Sequence, residues 1–223
     1  MSRALVERLE VRDGGFAVKA DGRELAARTV LIATGLVDKE PEMANLREAI
    51  DAGAIRLCPI CDGHEVIDRA VAVYGPAGRT LSHALFMRTF TDRLTLLVPH
   101  GDEPLDADSR RTAERAGIDY AESPVCEIAL GDDKHAHVRL EDGSLLRFAT
   151  IYPSLGCRQR SDLAIALGAR ANRQGEIEVD AHQRTSVPGL YAAGDVVAAL
   201  NQLSVAVGHA AIAATAIHNA LAA

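Results

Sequence analysis

Residues 70–98 of the sequence, AVAVYGPAGRTLSHALFMRTFTDRLTLLV, contain two short apolar runs that flank a Gly-containing stretch and a longer mixed segment. The runs at 70–74 and 94–98 have the length and the continuous apolar character of buried strands. Residues 75–78 predict a turn, and residues 81–90 predict a helix. Strand, turn, helix and strand in this order predict a βαβ unit, so the expected fold class is α/β with a parallel sheet.

Turn residues divide the rest of the chain into further short elements. Asp-Gly and Gly-Gly turns separate three segments that predict a β-meander, at 4–11, 16–20 and 24–27. Three later segments predict an antiparallel insert, at 125–130, 137–140 and 145–148. Buried strands are expected at 29–33 and 190–193, and a final helix at about 203–221. The apolar pattern of 205–217 predicts that this helix packs in a core.

Composition narrows the function classes. The chain has 223 residues, 48% of them apolar, and a net charge of −7, which argues against a general nucleic-acid or anionic-membrane binder. We see no uninterrupted apolar run of bilayer-spanning length and no secretory signal, so we expect a cytoplasmic protein. Four cysteines are too few for a disulfide-stapled scaffold of this length, and a close pair is then catalytic or metal-binding.

The segment Cys58-Pro-Ile-Cys61-Asp62-Gly63 is the sharpest local signal. Two cysteines separated by two residues can form a small disulfide ring that supports two-electron exchange. Half of a zinc site, extended by His64, is one alternative, although no second Cys-x-x-Cys or His-x-x-x-His follows. Two unrelated core cysteines are another. In thioredoxin the pair opens a long helix, whereas here a strand is expected within a few residues.

Three motifs in order carry a family resemblance. Residues 32–35, Ile-Ala-Thr-Gly, resemble the Ala-Thr-Gly strand end beside FAD in low-molecular-weight thioredoxin reductases. Residues 58–63 resemble the Cys-Ala-Thr-Cys-Asp-Gly site of that family, and residues 188–195, Pro-Gly-Leu-Tyr-Ala-Ala-Gly-Asp, resemble its second flavin motif. From residue 7 to its end, the chain resembles these pyridine nucleotide-disulfide oxidoreductases of class II.

The resemblance implies FAD-dependent dithiol/disulfide exchange. By position, Cys61 faces the flavin, Cys58 attacks the substrate disulfide, and Asp62 is the general acid/base that protonates the leaving thiolate. A turn or N-cap carboxylate is an equal alternative for Asp62. The same comparison implies FAD contacts at six positions, although Asn201 stands where the family has Arg: Thr34, Gly35, Gly194, Asp195, Gln202 and Leu203.

The nucleotide-binding half departs from the family pattern. Gly75 remains, but Pro76 and Ala77 replace the next two glycines, and Thr80 replaces a later Ala. Residues 98–100 are Val-Pro-His where NADPH-dependent members have His-Arg-Arg, so the cations for the 2′-phosphate are missing. We expect weak or absent NADPH binding, with electrons coming from another donor or passing to oxygen.

The flavin-binding half departs as well. No Gly-x-Gly-x-x-Gly occurs in the sequence, and the chain resembles the family only after its first flavin-binding unit. A start codon placed too late, a gene fragment, or a split protein completed in trans would each explain this N-terminal truncation. We expect weak or no FAD binding by this chain. A non-catalytic fragment or partner-binding subunit is therefore the alternative function.

The expected architecture is two Rossmann-like domains with parallel sheets and β-meander inserts. Residues 1–52 and 158–223 would form an incomplete, discontinuous FAD-binding domain. Residues 53–157 would form an NAD(P)-binding-like domain that carries the Cys-x-x-Cys site. The partner is expected to be a thioredoxin-like protein or a small dithiol or disulfide, with no nucleic acid and no membrane, and the family resemblance implies a homodimer.

Overall fold

A computed structural model describes residues 3–222, which form two compact units. The first unit contains residues 3–38 and 157–222, and the second contains Lys39–Gly156. Residues 39–52 therefore lie with the second unit, ahead of the boundary expected from the sequence. The reason is packing, because Ala49 is fully buried in the same core cluster as Ile55 and Ile151.

The described chain contains both strands and helices, which alternate between β6 and β8. The strands are β1 (Val6–Arg12), β2 (Gly15–Ala20), β3 (Arg23–Ala27), β4 (Val30–Ile32), β5 (Leu36–Asp38), β6 (Val71–Tyr74), β7 (Leu94–Leu97), β8 (Asp119–Tyr120), β9 (Val125–Leu130), β10 (Ala136–Leu140), β11 (Leu145–Phe148), β12 (Thr150–Pro153), β13 (Cys157–Gln159) and β14 (Leu190–Ala192). The helices are α1 (Leu46–Asp51), α2 (Pro59–Asp62), α3 (Ala77–Met87), α4 (Ala107–Arg115), α5 (Asp162–Ala166) and α6 (Leu203–Ala222).

The first unit combines a meander with two strand pairs. Strands β1, β2 and β3 form an antiparallel sheet, which confirms the predicted meander. Strand β4 pairs in parallel with β14, with Val30 opposite Leu190 and Ile32 opposite Ala192. Strand β5 pairs antiparallel with β13. One apolar cluster contains residues of β1, β2, β4 and β14, and its buried members include Leu9, Phe16, Ile32, Ile177, Leu190 and Val196.

The second unit contains the predicted βαβ unit. Strands β12, β6, β7 and β8 form a parallel sheet in that order, and α3 connects β6 to β7. Helix α3 begins at Ala77, four residues before the expected start at 81, because Pro76 takes the N-cap position, where a missing N–H costs nothing. Strands β9, β10 and β11 form the predicted antiparallel insert.

Alternation along the parallel strands divides the core of the second unit in two. Ala72 lies in one cluster, with α1 and the antiparallel insert, while Val71 and Val73 lie in the other, with α3 and α4. In the same way Ile151 and Tyr152 belong to opposite clusters. This follows from the period of two in a strand, where successive side chains point to opposite faces of the sheet.

The final helix, α6, differs from expectation. Only Ala213 and Ala216 are buried in it, whereas Leu203 is 83% exposed and Val207 is 62% exposed. The prediction of core packing over 205–217 is therefore wrong for most of its length, because the described elements of the first unit leave that face uncovered. By length and composition alone, α6 is also apolar enough to cross a membrane, contrary to the expectation that no segment would be.

Candidate active site

The two cysteines of the Cys-Pro-Ile-Cys segment form a disulfide in the second unit. Their Cα atoms are 5.3 Å apart, within the normal range for a disulfide. Cys58 is the extended N-cap of the single-turn helix α2, Pro59 occupies its first turn, and the Cys61 N–H donates to the Cys58 carbonyl at 2.9 Å. A turn of 3-10 helix, Gly63–Val66, follows directly and leads into β6. The disulfide thus begins one short turn and not a long helix, as the sequence predicts.

Packing fixes the backbone just after the disulfide. A Cβ added at Gly63 would lie 2.8 Å from the ring of Phe90, so only glycine fits this position without a shift. Cys58 is half-buried, whereas Cys61 is exposed. Cys58 and Asp62 line an open groove of 430 Å³, together with the apolar residues Ile55 and Leu57. A substrate in this groove would meet Cys58.

Both carboxylate oxygens of Asp62 are held by other residues. The Tyr152 hydroxyl donates a hydrogen bond of 2.7 Å to Oδ1, and Arg56 Nη1 lies 3.2 Å from Oδ2. Arg56 also pairs with Glu65, with 2.7 Å between Nη2 and Oε2. The Asp62 side chain makes no helix-cap hydrogen bond, so the structure does not show the N-cap role that was the alternative for this residue.

The two partners of Asp62, Tyr152 and Arg56, stay protonated and can therefore donate hydrogen bonds to it. The pKa of Tyr152 is raised strongly, first by burial and then by its hydrogen bond to the Asp62 carboxylate, so the phenol stays protonated. Burial works to lower the pKa of Arg56, but the hydrogen bond to Glu65 and the charge of Asp62 outweigh it, and the pKa is raised overall. Asp62 is therefore bound by one neutral donor and one cation.

Three members of this network have no signature in the sequence. Arg56 and Glu65 flank the Cys-x-x-Cys segment, and their nearness to it was the only available hint. Tyr152 lies 90 residues after Asp62 in an apolar strand, where its ring looks like ordinary core material. The parallel pairing of β12 with β6 brings it into the site.

The first unit brings four of the other predicted residues together at one sheet edge. Thr34 and Gly35 follow β4, and Gly194 and Asp195 follow β14. Because the two strands are parallel neighbours, their carboxyl ends meet, and the Ala193 N–H donates to the Ile32 carbonyl at 3.0 Å. Both glycines have positive φ, +66° at Gly35 and +78° at Gly194, a conformation that favours glycine.

Gln202 and Leu203 lie at the start of α6, close to the same edge. The Gln202 carbonyl accepts the N–H of Ala206 at 2.9 Å, and a Cβ added at Gly194 would lie 3.6 Å from the Ala206 Cβ. The Gly194 turn and the first turn of α6 are thus adjacent. Within residues 3–222, the half-buried Asp195 carboxylate makes no hydrogen bond or ion pair.

The turn at Gly75, which stands where the family has its dinucleotide fingerprint, is tightly packed. A Cβ added at Gly75 would lie 2.7 Å from the Ser154 carbonyl oxygen, so close strand packing explains this glycine without a ligand. Pro76 contributes no N–H at the start of α3. In the part of the chain that the structure describes, no three His, Cys, Asp or Glu side chains are grouped so that they could hold a metal ion.

Comparisons with known proteins agree on one family. Residues 3–211 match the family described as pyridine nucleotide-disulphide oxidoreductase. The chain is 28% identical over 203 residues to the F component of alkyl hydroperoxide reductase from Staphylococcus aureus, covering 87% of this chain and 39% of the relative. It is 30% identical over 207 residues to the same component from Pseudomonas putida, covering 88% and 39% respectively. The chain thus spans well under half of these relatives.

Solved structures show the same fold. HlmI is 30% identical with a TM-score of 0.85, and the match covers 99% of this chain and 70% of HlmI. An oxidoreductase from Agrobacterium tumefaciens is 27% identical with a TM-score of 0.82, covering 99% and 74%. Thioredoxin reductase from Streptococcus pyogenes, 24% identical with a TM-score of 0.85 and covering 98% and 73%, shares the fold. The family resemblance expected from the three motifs is therefore confirmed: the chain belongs to the pyridine nucleotide-disulphide oxidoreductases and has a thioredoxin reductase-like fold.

Proposed function

We propose that this chain is the catalytic part of a flavin-dependent dithiol/disulfide oxidoreductase, in which Cys58 and Cys61 exchange two electrons with a disulfide substrate. The observation that carries the proposal is the disulfide itself, which lies beside a solvent-open groove and next to a carboxylate whose two oxygens are both held in place. A structural disulfide has no need of either feature.

The groove, which is lined by Cys58, indicates which cysteine attacks the substrate and which one resolves the mixed disulfide. In the reduced protein, the Cys58 thiolate attacks one sulfur of the substrate, a mixed disulfide forms, and the first substrate thiolate leaves. The Cys61 thiolate then attacks Cys58 Sγ, which reforms the Cys58–Cys61 disulfide and releases the second thiolate. Asp62 is the acid/base: its carboxylate takes up the proton that the Cys58 thiol loses and passes it to the leaving thiolate. The pair loses two electrons and the substrate gains them.

The edge of the first unit fits part of a flavin site. Thr34, Gly35, Gly194, Asp195, Gln202 and Leu203 would contact FAD, which supplies or accepts the electron pair when bound. The fit rests on Asp195, whose carboxylate has no partner among residues 3–222, and on the start of α6, where backbone N–H groups are available to an anionic group. Since the sequence has no Gly-x-Gly-x-x-Gly, we propose weak FAD binding by this chain, and weak or absent NADPH binding at the Pro76 turn.

The redox role of the pair can be tested by counting thiols in a variant that contains no other cysteines. Replacing Cys126 and Cys157 by Ser leaves only the proposed pair. After reduction and removal of the reductant, two thiols should be alkylated, and hydroxyethyl disulfide should return both to the disulfide. In this background Asp62→Asn should slow that oxidation about 100-fold, the usual scale of acid/base assistance. A pair that stays inert to small disulfides would contradict the proposal, as would an Asp62→Asn variant as fast as its parent.

A spectroscopic measurement tests the flavin. With excess FAD under anaerobic conditions, a dithiol should bleach the visible flavin band through Cys58 and Cys61. The bleaching should persist in the Cys126→Ser/Cys157→Ser control and disappear in Cys58→Ser and in Cys61→Ser. Equal bleaching in all four proteins would show that the flavin reacts without the pair.

A further inference from the structure

A second cavity, of 410 Å³, adjoins the groove that contains Cys58. The two share Ala52, Gly53 and Arg56, so Arg56 lies between them. Both belong to the second unit. We name the second cavity the cationic cleft, and its polar lining residues are Arg56, Glu65, Arg69, Asp133, Lys134, His135 and Thr150.

The negative charges of the cationic cleft are already paired. Glu65 binds Arg56, with 2.7 Å between Oε2 and Nη2. Asp133 accepts a hydrogen bond of 2.6 Å from Arg147 Nε and lies 3.1 Å from His137 Nε2. The hydrogen bond from Arg147 is the main reason why the pKa of Asp133 falls to about 2, although partial desolvation opposes the shift. Neither carboxylate is left to neutralise another cation.

Two cations of the cleft remain without an acidic partner. Among the described residues, neither Arg69 nor Lys134 has a carboxylate oxygen within 4.0 Å. A smaller cavity of 210 Å³ shares Arg69 and His135 with the cleft and adds two arginines and one carboxylate, Arg93, Arg147 and Asp68. An excess of positive charge in one concave place is unusual in a chain whose net charge is −7.

Two buried polar atoms of the cleft also lack partners. Arg56 Nε and Thr150 Oγ1 have no hydrogen bond within residues 3–222, and Thr150 is 1% exposed. Such groups are exceptions in folded proteins and call for an explanation such as a bound ligand or water. Together with the unpaired cations, they describe a concave site that has donors and positive charge in excess.

We propose that the cationic cleft binds the carboxylate groups of a low-molecular-mass disulfide while the disulfide itself reaches Cys58 in the adjoining groove. The inference rests on the proposed function, because it names the substrate class of the same cysteine pair. Volumes of 410 and 430 Å³ fall in the range of small-molecule sites and favour a small substrate over a protein surface. The products are the Cys58–Cys61 disulfide and two substrate thiols.

Glutathione disulfide and hydroxyethyl disulfide are the probes, since the first carries carboxylates and the second is uncharged. Both oxidise the reduced Cys126→Ser/Cys157→Ser protein, and alkylation at timed intervals gives the two rates. The test variant is Arg69→Gln/Lys134→Gln. The control is Arg111→Gln/Arg115→Gln, which removes two charges from the exposed helix α4 of the same unit, away from the cleft.

The test variant should react about fivefold more slowly with glutathione disulfide, and the loss should shrink at high salt, because exposed charges attract weakly and are screened. Its rate with hydroxyethyl disulfide, and both rates of the control, should change less than twofold. If the oxidation rate falls equally with both probes, or with neither, the cationic cleft does not bind the carboxylates of the substrate. Either result would leave the proposed redox role of the cysteine pair standing. No oxidation by any disulfide would refute the proposed function itself.

Discussion

Tyr152 packs in the core with its ring and contacts the candidate active site with its hydroxyl. Its ring is 1% exposed and packs in the cluster with α3 and α4, so the hydroxyl needs a partner inside the protein. The partner is Asp62, at 2.7 Å. The hydrogen bond to Asp62 compensates for burying the Tyr152 hydroxyl in the core. The same bond fixes the orientation of the Asp62 carboxylate. We therefore regard Tyr152 as a positioning residue that acts through Asp62.

Tyr152→Phe should remove this hydrogen bond and keep the ring. We expect a loss of about 1–2 kcal/mol in the free energy of unfolding by urea, because the bond involves a charged acceptor. Oxidation of the reduced cysteine pair by hydroxyethyl disulfide should also slow, by about tenfold. The decisive comparison is the double variant: if Tyr152 acts through Asp62, Tyr152→Phe should leave the rate of Asp62→Asn unchanged.

Tyr74→Phe is the matched control for this prediction. Tyr74 lies at the end of β6 in the same unit, and within residues 3–222 its hydroxyl makes no hydrogen bond. Its replacement should change neither the rate nor the coupling to Asp62. Additive losses in the Tyr152→Phe/Asp62→Asn protein would show that Tyr152 affects the pair by another route.

At the scale of elements, the sequence predicts those structures whose pattern-forming residues lie close together in the chain. The meander, the βαβ unit and the antiparallel insert were predicted because turn residues and apolar runs lie next to each other in the chain. The pairing of β4 with β14 joins residues about 160 positions apart, and only the family resemblance placed those strand ends together. Strands β5 and β13 are three residues each, which is too short to show a periodic pattern, so the sequence does not predict them.

The turn between β9 and β10 allows a prediction about pH at this scale. In the folded protein the pKa of Asp133 is about 2, mainly because Arg147 donates a hydrogen bond to it, against an ordinary value of 3.8. A lowered folded-state pKa stabilises the protein above the unfolded-state pKa, and the stabilisation is lost as the pH falls toward 2. Asp133→Asn should therefore destabilise the protein at pH 6, and the difference from the parent should be much smaller at pH 2 and vanish below it.

Urea unfolding at the two pH values measures this effect. Asp132→Asn is the control, since the neighbouring Asp132 forms no ion pair with any described residue. A destabilisation by Asp133→Asn that stays constant between pH 6 and pH 2 would mean that the Asp133 charge does not stabilise the turn.

At the scale of the whole molecule, the two units have separate cores. Both apolar clusters of the second unit lie within residues 39–156, as do Cys58, Cys61, Asp62 and Tyr152. The ends of this segment are joined by a hydrogen bond of 2.8 Å from the Lys39 N–H to the Gly156 carbonyl. Neighbouring ends and a complete core are the properties of a domain that folds alone. The redox chemistry that we propose for the pair is thereby separable from the flavin binding that we propose for the first unit.

Residues 39–156 should therefore fold as an isolated protein and retain the exchange of Cys58–Cys61 with small disulfides. The fragment 53–157, which follows the boundary expected from the sequence, is the informative comparison. It lacks α1, whose Ala49 is fully buried and whose Leu46 and Ile50 pack on the same cluster, so its free energy of unfolding should be lower by at least about 2 kcal/mol. Urea unfolding followed by circular dichroism measures both. If 53–157 proves as stable as 39–156, α1 does not belong to this domain's core.

Excess FAD should raise the Tm of the full chain and leave that of 39–156 unchanged, because only the full chain contains the edge formed by β4, β14 and α6.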